Sequence, residues 1–148
     1  MNEDQKTVLI AESDDTVLDA LAAQFKKRGM LVITAQDGYD AYSRACNESP
    51  DFLIAEINIP LINGYRLSKL LKGDERYRQI FIVLMTTKTF DENDEVYQFC
   101  DANDIIQKPF RFQSLLDLIS APVTPWTHLL IITCLHCCLF SAQVLAAF

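Results

Sequence analysis

The sequence predicts an α/β protein built on a doubly wound, five-stranded parallel sheet. Five short apolar stretches have the length of strands, and each is followed by a turn and a segment whose apolar residues have helical spacing. Strands and helices that alternate in this way form a parallel sheet covered on both faces, because the crossovers between strands are right-handed. The predicted strands span residues 7–11, 31–35, 52–55, 80–85 and 105–107.

The first strand leads into the clearest helical pattern of the chain. Asp14 stands at the N-cap position, and Gly29 follows a basic stretch where the helix should end. Four apolar residues lie between them at the spacing of one helix face, namely Leu18, Leu21, Ala22 and Phe25. Similar patterns predict further helices at residues 39–47, 65–73, 91–100 and 111–120.

The distribution of charge divides the chain into a domain and a tail. The net charge is −7, and all 33 Asp, Glu, Lys and Arg residues precede residue 118. We therefore expect a domain at residues 1–120 and an uncharged apolar tail at 121–148, helical from about residue 127. Twenty helical residues span about 30 Å, the thickness of a bilayer core. A membrane anchor, a helix packed on the domain and the product of a frameshifted gene are three alternatives for this tail.

Composition also limits the partners and the chemistry. The acidic balance argues against nucleic-acid binding, which needs clustered Lys and Arg. Five cysteines without disulfide spacing and a polar start predict a cytoplasmic protein, with a C-terminal anchor in the inner membrane as the alternative. The domain contains no histidine, so Ser-His-Asp and Cys-His hydrolase chemistry has no base there.

Polar residues follow four of the five predicted strands. Glu12 and Ser13 follow the first strand, Glu56 the third, Thr86 the fourth and Lys108 the fifth. Because the carboxyl ends of parallel strands meet at one edge of the sheet, these residues should face a single crevice. The simplest alternatives are that Ser13 and Thr86 are ordinary strand-end hydroxyls, that Lys108 is solvated and that Glu56 carries no signalling role.

These strand ends and the motifs around them resemble one known family. The motifs are Pro50-Asp51, Pro60, Asn63-Gly64, Thr86 and Lys108-Pro109-Phe110. Over about residues 6–120 the chain resembles the receiver domain of bacterial response regulators. The resemblance implies the strand order 2-1-3-4-5 and a cis peptide bond between Lys108 and Pro109. It also implies a phospho-accepting site at the end of the third strand and Mg²⁺ held beside it.

Two departures from the family pattern affect the phosphorylation chemistry. Glu56 stands where the family has its acceptor Asp, and Ser13 replaces one member of the acidic pair that holds the metal. Because Glu is longer by one methylene, its oxygens should enter the space of the incoming phosphoryl group. The third departure is Ile105, which stands at the position of a switching aromatic residue.

The departures predict a degenerate pocket. With only Glu12, Glu56 and the backbone of Asn58 as ligands, Mg²⁺ should bind weakly or not at all. Lys108 is then expected to pair directly with Glu56.

Three functions remain open on the sequence alone, and none of them is enzymatic. The leading hypothesis is a pseudo-receiver that binds a protein partner through its fourth helix, fifth strand and fifth helix. The second is a working receiver in which Glu56 or Asp14 accepts phosphate from a histidine kinase, although Asp14 is also explained by helix capping. The third is a signalling adaptor tethered to a membrane by the tail.

Overall fold

A single parallel sheet organises the chain. The computed structural model describes residues 5–89 and 100–120. Its sheet has the order β2-β1-β3-β4-β5, which confirms the predicted fold and strand order. The strands are β1 Thr7–Ala11, β2 Leu31–Ala35, β3 Phe52–Glu56, β4 Phe81–Thr86 and β5 Asp104–Gln107. The described helices are α1 Asp15–Lys26, α2 Gly38–Glu48, α3 Gly64–Gly73 and α4 Phe112–Ser120.

Two predicted helices fall on parts of the chain that the structure does not describe. The helix predicted at 91–100 lies almost wholly outside the described residues, so α4 corresponds to the fifth predicted helix. The predicted tail, with its helix from about residue 127, also lies outside them. Among residues 5–89 and 100–120, no helix is both long and apolar enough to cross a membrane.

Side chains at the helix N-termini explain why the helices begin where they do. The Asp14 carboxylate accepts hydrogen bonds from the backbone N–H groups of Thr16 at 2.8 Å and Val17 at 3.2 Å, which confirms it as the N-cap of α1. Asp37 and Asn63, which the sequence marks only as turn residues, cap α2 and α3 in the same way. Each cap satisfies backbone donors that would otherwise lack a partner, a contribution of about 1 kcal/mol.

The core lies in two layers, one on each face of the sheet. Alternate strand residues point to opposite faces. One layer packs β-strand residues against α2 and α3, and includes Leu9, Leu53, Leu67, Leu71, Ile82 and Leu84. The other packs against α1 and α4, and includes Val8, Ile10, Phe25, Ile54, Val83 and Leu115. Central strands covered on both faces are therefore apolar except at their ends, as the sequence predicts.

The fourth strand is displaced by one residue from its predicted position. Ile80 was expected to begin it, but the backbone N–H of Ile80 donates to the Tyr77 carbonyl at 3.0 Å and so closes the preceding turn. The Ile80 carbonyl accepts a hydrogen bond from Lys72 Nζ at 2.7 Å, so both backbone polar groups of Ile80 have partners outside the sheet. At the other end of β4, Thr86 pairs with Gln107 and is the last residue of the strand, so it does not lie beyond the strand as predicted.

Candidate functional site

The ends of three strands bring two carboxylates and one ammonium group together. Lys108 Nζ lies 2.6 Å from Glu12 Oε2 and 2.6 Å from Glu56 Oε2. The contact with Glu56 confirms the pairing predicted from the sequence. The contact with Glu12 was not predicted, although the sequence places Glu12 at the same sheet edge. We call these three residues the charged triad.

Backbone hydrogen bonds that continue the sheet hold each member of the charged triad in place. The Glu12 N–H donates to the Ala35 carbonyl at 3.0 Å, next to the end of β1. The N–H of Ile57, the residue after Glu56, donates to the Met85 carbonyl at 2.9 Å. The Lys108 N–H donates to the Thr86 carbonyl at 2.7 Å. The three side chains therefore extend from regular sheet backbone, which fixes their separation.

Both carboxylates of the charged triad also bond to their own loops. Glu12 Oε1 accepts from the Asp14 N–H at 3.2 Å, and Glu56 Oε1 accepts from the Asn58 N–H at 3.3 Å. Lys108 donates a hydrogen bond to Glu12 Oε2. Glu56 Oε2 is buried. It forms an ion pair with Lys108, but the geometry of this contact is not that of a hydrogen bond.

Burial and charge act in opposite directions on Lys108. The side chains of Glu12 and Glu56 are 4% and 9% exposed, and that of Lys108 is 20% exposed. Burial lowers the pKa of Lys108, but the hydrogen bond to Glu12 and the negative charges of Glu12 and Glu56 outweigh it, so the pKa lies above the usual lysine value. The ammonium group stays charged at neutral pH, and the charged triad carries one net negative charge.

The other predicted site residues occupy different environments. Ser13 and Asp14 are exposed, and Asp14 serves α1 as its cap. Thr86 is buried, and its hydroxyl oxygen accepts from the Lys88 N–H at 3.1 Å. Ile105 is half-buried and packs against the core layer that α2 and α3 cover. The Lys108–Pro109 peptide bond is cis, as predicted.

The loop between β3 and α3, residues 57–63, follows Glu56 directly and is held by α2. The backbone N–H of Gly38 donates to the Pro60 carbonyl at 3.0 Å. A Cβ atom on Gly38 would lie 1.7 Å from the Ile62 carbonyl oxygen, so only glycine fits at this helix start. Leu61, 77% exposed, forms a tight turn with φ of +66°, closed by the Ile62 N–H on the Pro60 carbonyl at 2.8 Å. The sequence marks Gly38 as a turn residue but gives no sign of this contact.

The residues present do not fit a Mg²⁺ site of the kind that the family pattern implies. Mg²⁺ requires near-octahedral oxygen ligands, usually from one or two carboxylates with several waters. Here the Oε2 atoms of Glu12 and Glu56 both face the Lys108 ammonium. Within the described part of the chain, no three His, Cys, Asp or Glu side chains come together as metal ligands. Asn58, whose carbonyl was the remaining predicted ligand, is exposed.

Comparisons with known proteins agree with this fold. A family model described as the response regulator receiver domain matches residues 8–120. Among curated proteins, the chain is similar to protein PilH of Pseudomonas aeruginosa, with 31% identity over 115 residues that cover 77% of this chain and 94% of PilH. It is also similar to PilG of the same organism, with 25% identity over 120 residues that cover 81% of this chain and 89% of PilG.

A solved structure shows the same fold. The chemotaxis response regulator CheY4 of Vibrio cholerae superposes with a TM-score of 0.71 and 23% identity, covering 77% of this chain and 98% of CheY4. At this level of identity the likeness concerns the arrangement of strands and helices alone.

Proposed function

This chain belongs to the response regulator receiver domain family, and we propose that it is a receiver-type signalling module that binds a protein partner without regulated phosphorylation. It is a two-component receiver domain and acts as a signalling module, not as an enzyme. The observation that carries the proposal is the charged triad, in which Lys108 Nζ lies 2.6 Å from both Glu12 and Glu56.

Phosphoryl transfer depends on a free, correctly placed acceptor oxygen and on positive charge beside the moving phosphoryl group. In this pocket both oxygens of Glu56 already have neighbours, the Asn58 N–H for one and Lys108 for the other. The longer side chain of Glu also displaces these oxygens from the position that an Asp would give them. Glu56 is therefore a poor acceptor, and the pocket is closed without phosphate.

The proposed partner is a protein, with a histidine kinase as one candidate. The surface assigned to it includes β5 and α4, together with the predicted helix at residues 91–100, which lies outside the described residues. We place this function in the cytoplasm and assign no role to nucleic acid, because the chain is acidic. The membrane-tethered adaptor remains the alternative that depends wholly on residues 121–148.

The test is uptake of phosphate from a small donor such as acetyl phosphate with Mg²⁺, followed by intact-protein mass spectrometry. We expect no uptake by the unchanged chain, and uptake by the double variant Ser13→Asp with Glu56→Asp. Ser13 is exposed beside Glu12, so an Asp there adds a metal ligand without disturbing the core. Glu56→Asp withdraws the acceptor by one methylene, and neither change alone should suffice because each supplies what the other needs.

The single variants Ser13→Asp and Glu56→Asp are the matched controls. Uptake by the unchanged chain that Glu56→Gln abolishes would identify Glu56 as a working acceptor and refute the proposal. If Glu56→Gln leaves that uptake intact, Asp14→Asn tests the other predicted acceptor. A folded double variant that takes up no phosphate would show that the account of the pocket is incomplete, with Ile105 and the Thr86 loop as the next positions to test.

A further inference from the structure

We infer that the Lys108 ammonium group is the resident cation of the pocket and excludes a divalent ion from the place between Glu12 and Glu56. The inference rests on the proposed function, because it explains how a receiver pocket that handles no phosphate reduces the charge of its two buried carboxylates. Its testable consequence is that removal of the lysine charge should allow a divalent ion to bind between the two carboxylates.

The geometry assigns the ammonium and a metal ion to the same place. One nitrogen atom lies 2.6 Å from the Oε2 atoms of both carboxylates. A Mg²⁺ ion that bridged these oxygens from the side of Lys108 would lie about 2.0–2.1 Å from each, too close to the nitrogen for both to be present. The Oε1 atoms accept backbone N–H groups, which keeps the two Oε2 atoms directed at this point.

A second observation comes from the acceptor capacity of Glu56. Its Oε2 atom is buried and receives no hydrogen bond within the described part of the chain, although Lys108 is in ion-pair contact with it. A carboxylate oxygen normally accepts hydrogen bonds or ligates a cation when it is removed from water. Within the described residues, Lys108 is therefore the group whose charge compensates this buried oxygen.

The charge balance decides which cation occupies this place. Lys108 is tethered by the chain, so its ammonium is present at high effective concentration, whereas Mg²⁺ must lose part of its tightly held water to enter. With Lys108 in place the pocket retains only one negative charge, too little to hold a divalent ion firmly. Without the ammonium, two carboxylates remain and match the charge of one divalent ion.

The experiment measures Mn²⁺ binding, from the electron paramagnetic resonance signal of free Mn²⁺, together with the effect of Mg²⁺ on thermal unfolding. The variants are Lys108→Met, which removes the charge, and Lys108→Arg, which keeps it. Lys26→Met is the matched control, because Lys26 is an exposed lysine in the last turn of α1, at the opposite end of that helix from the pocket. We expect Lys108→Met to bind one Mn²⁺ at least about tenfold more tightly than the unchanged chain. Mg²⁺ should raise the unfolding temperature of this variant alone.

Two results would overturn the inference. One is Mn²⁺ binding by the unchanged chain as tight as that by Lys108→Met. The other is a folded Lys108→Met variant, as judged by circular dichroism, that binds no more Mn²⁺ than the unchanged chain or Lys108→Arg. If Lys108→Met does not fold, Lys108→Gln, which keeps a hydrogen-bond donor without the charge, is measured against the same expectation.

The two proposals fail in different ways. Phosphate uptake by the unchanged chain would refute the proposed function. Tight Mn²⁺ binding by an unchanged chain that takes up no phosphate would refute only the role of Lys108.

Discussion

Replacement of Gly38 by Ala tests how firmly α2 holds the pocket loop. The new Cβ would lie 1.7 Å from the Ile62 carbonyl oxygen and 2.6 Å from its carbonyl carbon, so backbone must move. Such overpacking costs about 3 kcal/mol, while the better helix propensity of Ala returns about 1 kcal/mol. The net loss of about 2 kcal/mol should lower the unfolding temperature by roughly 7 °C in a calorimetric scan.

Gly73→Ala is the control for this change, because a Cβ there would meet nothing within 4 Å and the residue also lies in a helix. It should stabilise the chain by about 0.5–1 kcal/mol, since Ala restricts the unfolded state. If Gly38→Ala were as stable as Gly73→Ala, the close approach between α2 and Ile62 would be wrong, and so would the account of what positions the loop after Glu56.

Two further predictions concern pH. The raised pKa of Lys108 means that its stabilising effect is complete below the unfolded lysine value of about 10.4 and is lost as the pH rises through the folded value. The difference in unfolding free energy between the unchanged chain and Lys108→Met should therefore shrink in alkaline urea titrations, and a constant difference would contradict the charge pairing. For Asp51, burial raises the pKa, but hydrogen bonds from Lys6 and the Thr7 N–H, each at 2.8 Å, outweigh it and leave the pKa lowered. The stabilising contribution of the Asp51 carboxylate should be present above about pH 3.9 and lost as the pH falls through its pKa in the folded protein. The unfolding free energy of Asp51→Asn, measured in urea, should therefore fall less steeply at acid pH than that of the unchanged chain.

The parts of the fold that the sequence predicts are those set by local pattern. The apolar runs from Thr7 and from Leu31 predict β1 and β2 with the observed bounds. For β1 the reason is burial on both faces, whereas β2 is an edge strand whose apolar run is only partly buried. Asp14 is likewise predictable as a cap, since its side chain reaches N–H groups only two and three residues away. The resemblance to receiver domains then supplies the strand order.

The parts that the sequence does not predict depend on contacts between distant segments. Nothing local shows that Lys108 bonds Glu12 as well as Glu56, because the choice depends on side-chain directions at the ends of three strands. The contact between Gly38 and Ile62 depends on how α2 lies over the loop. Ser49 ends α2 with a positive φ of 45°, a conformation for which its side chain gives no signal.

The hydrogen bond between Lys108 and Glu12 joins residues that lie 96 positions apart. Closure of so long a loop carries an entropic cost, and such contacts form slowly during folding. A growing or truncated chain that ends before β5 leaves the carboxylates of Glu12 and Glu56 close together without a counter-charge, and their repulsion opposes a compact state. The pocket can close only once the beginning and the end of the domain have met.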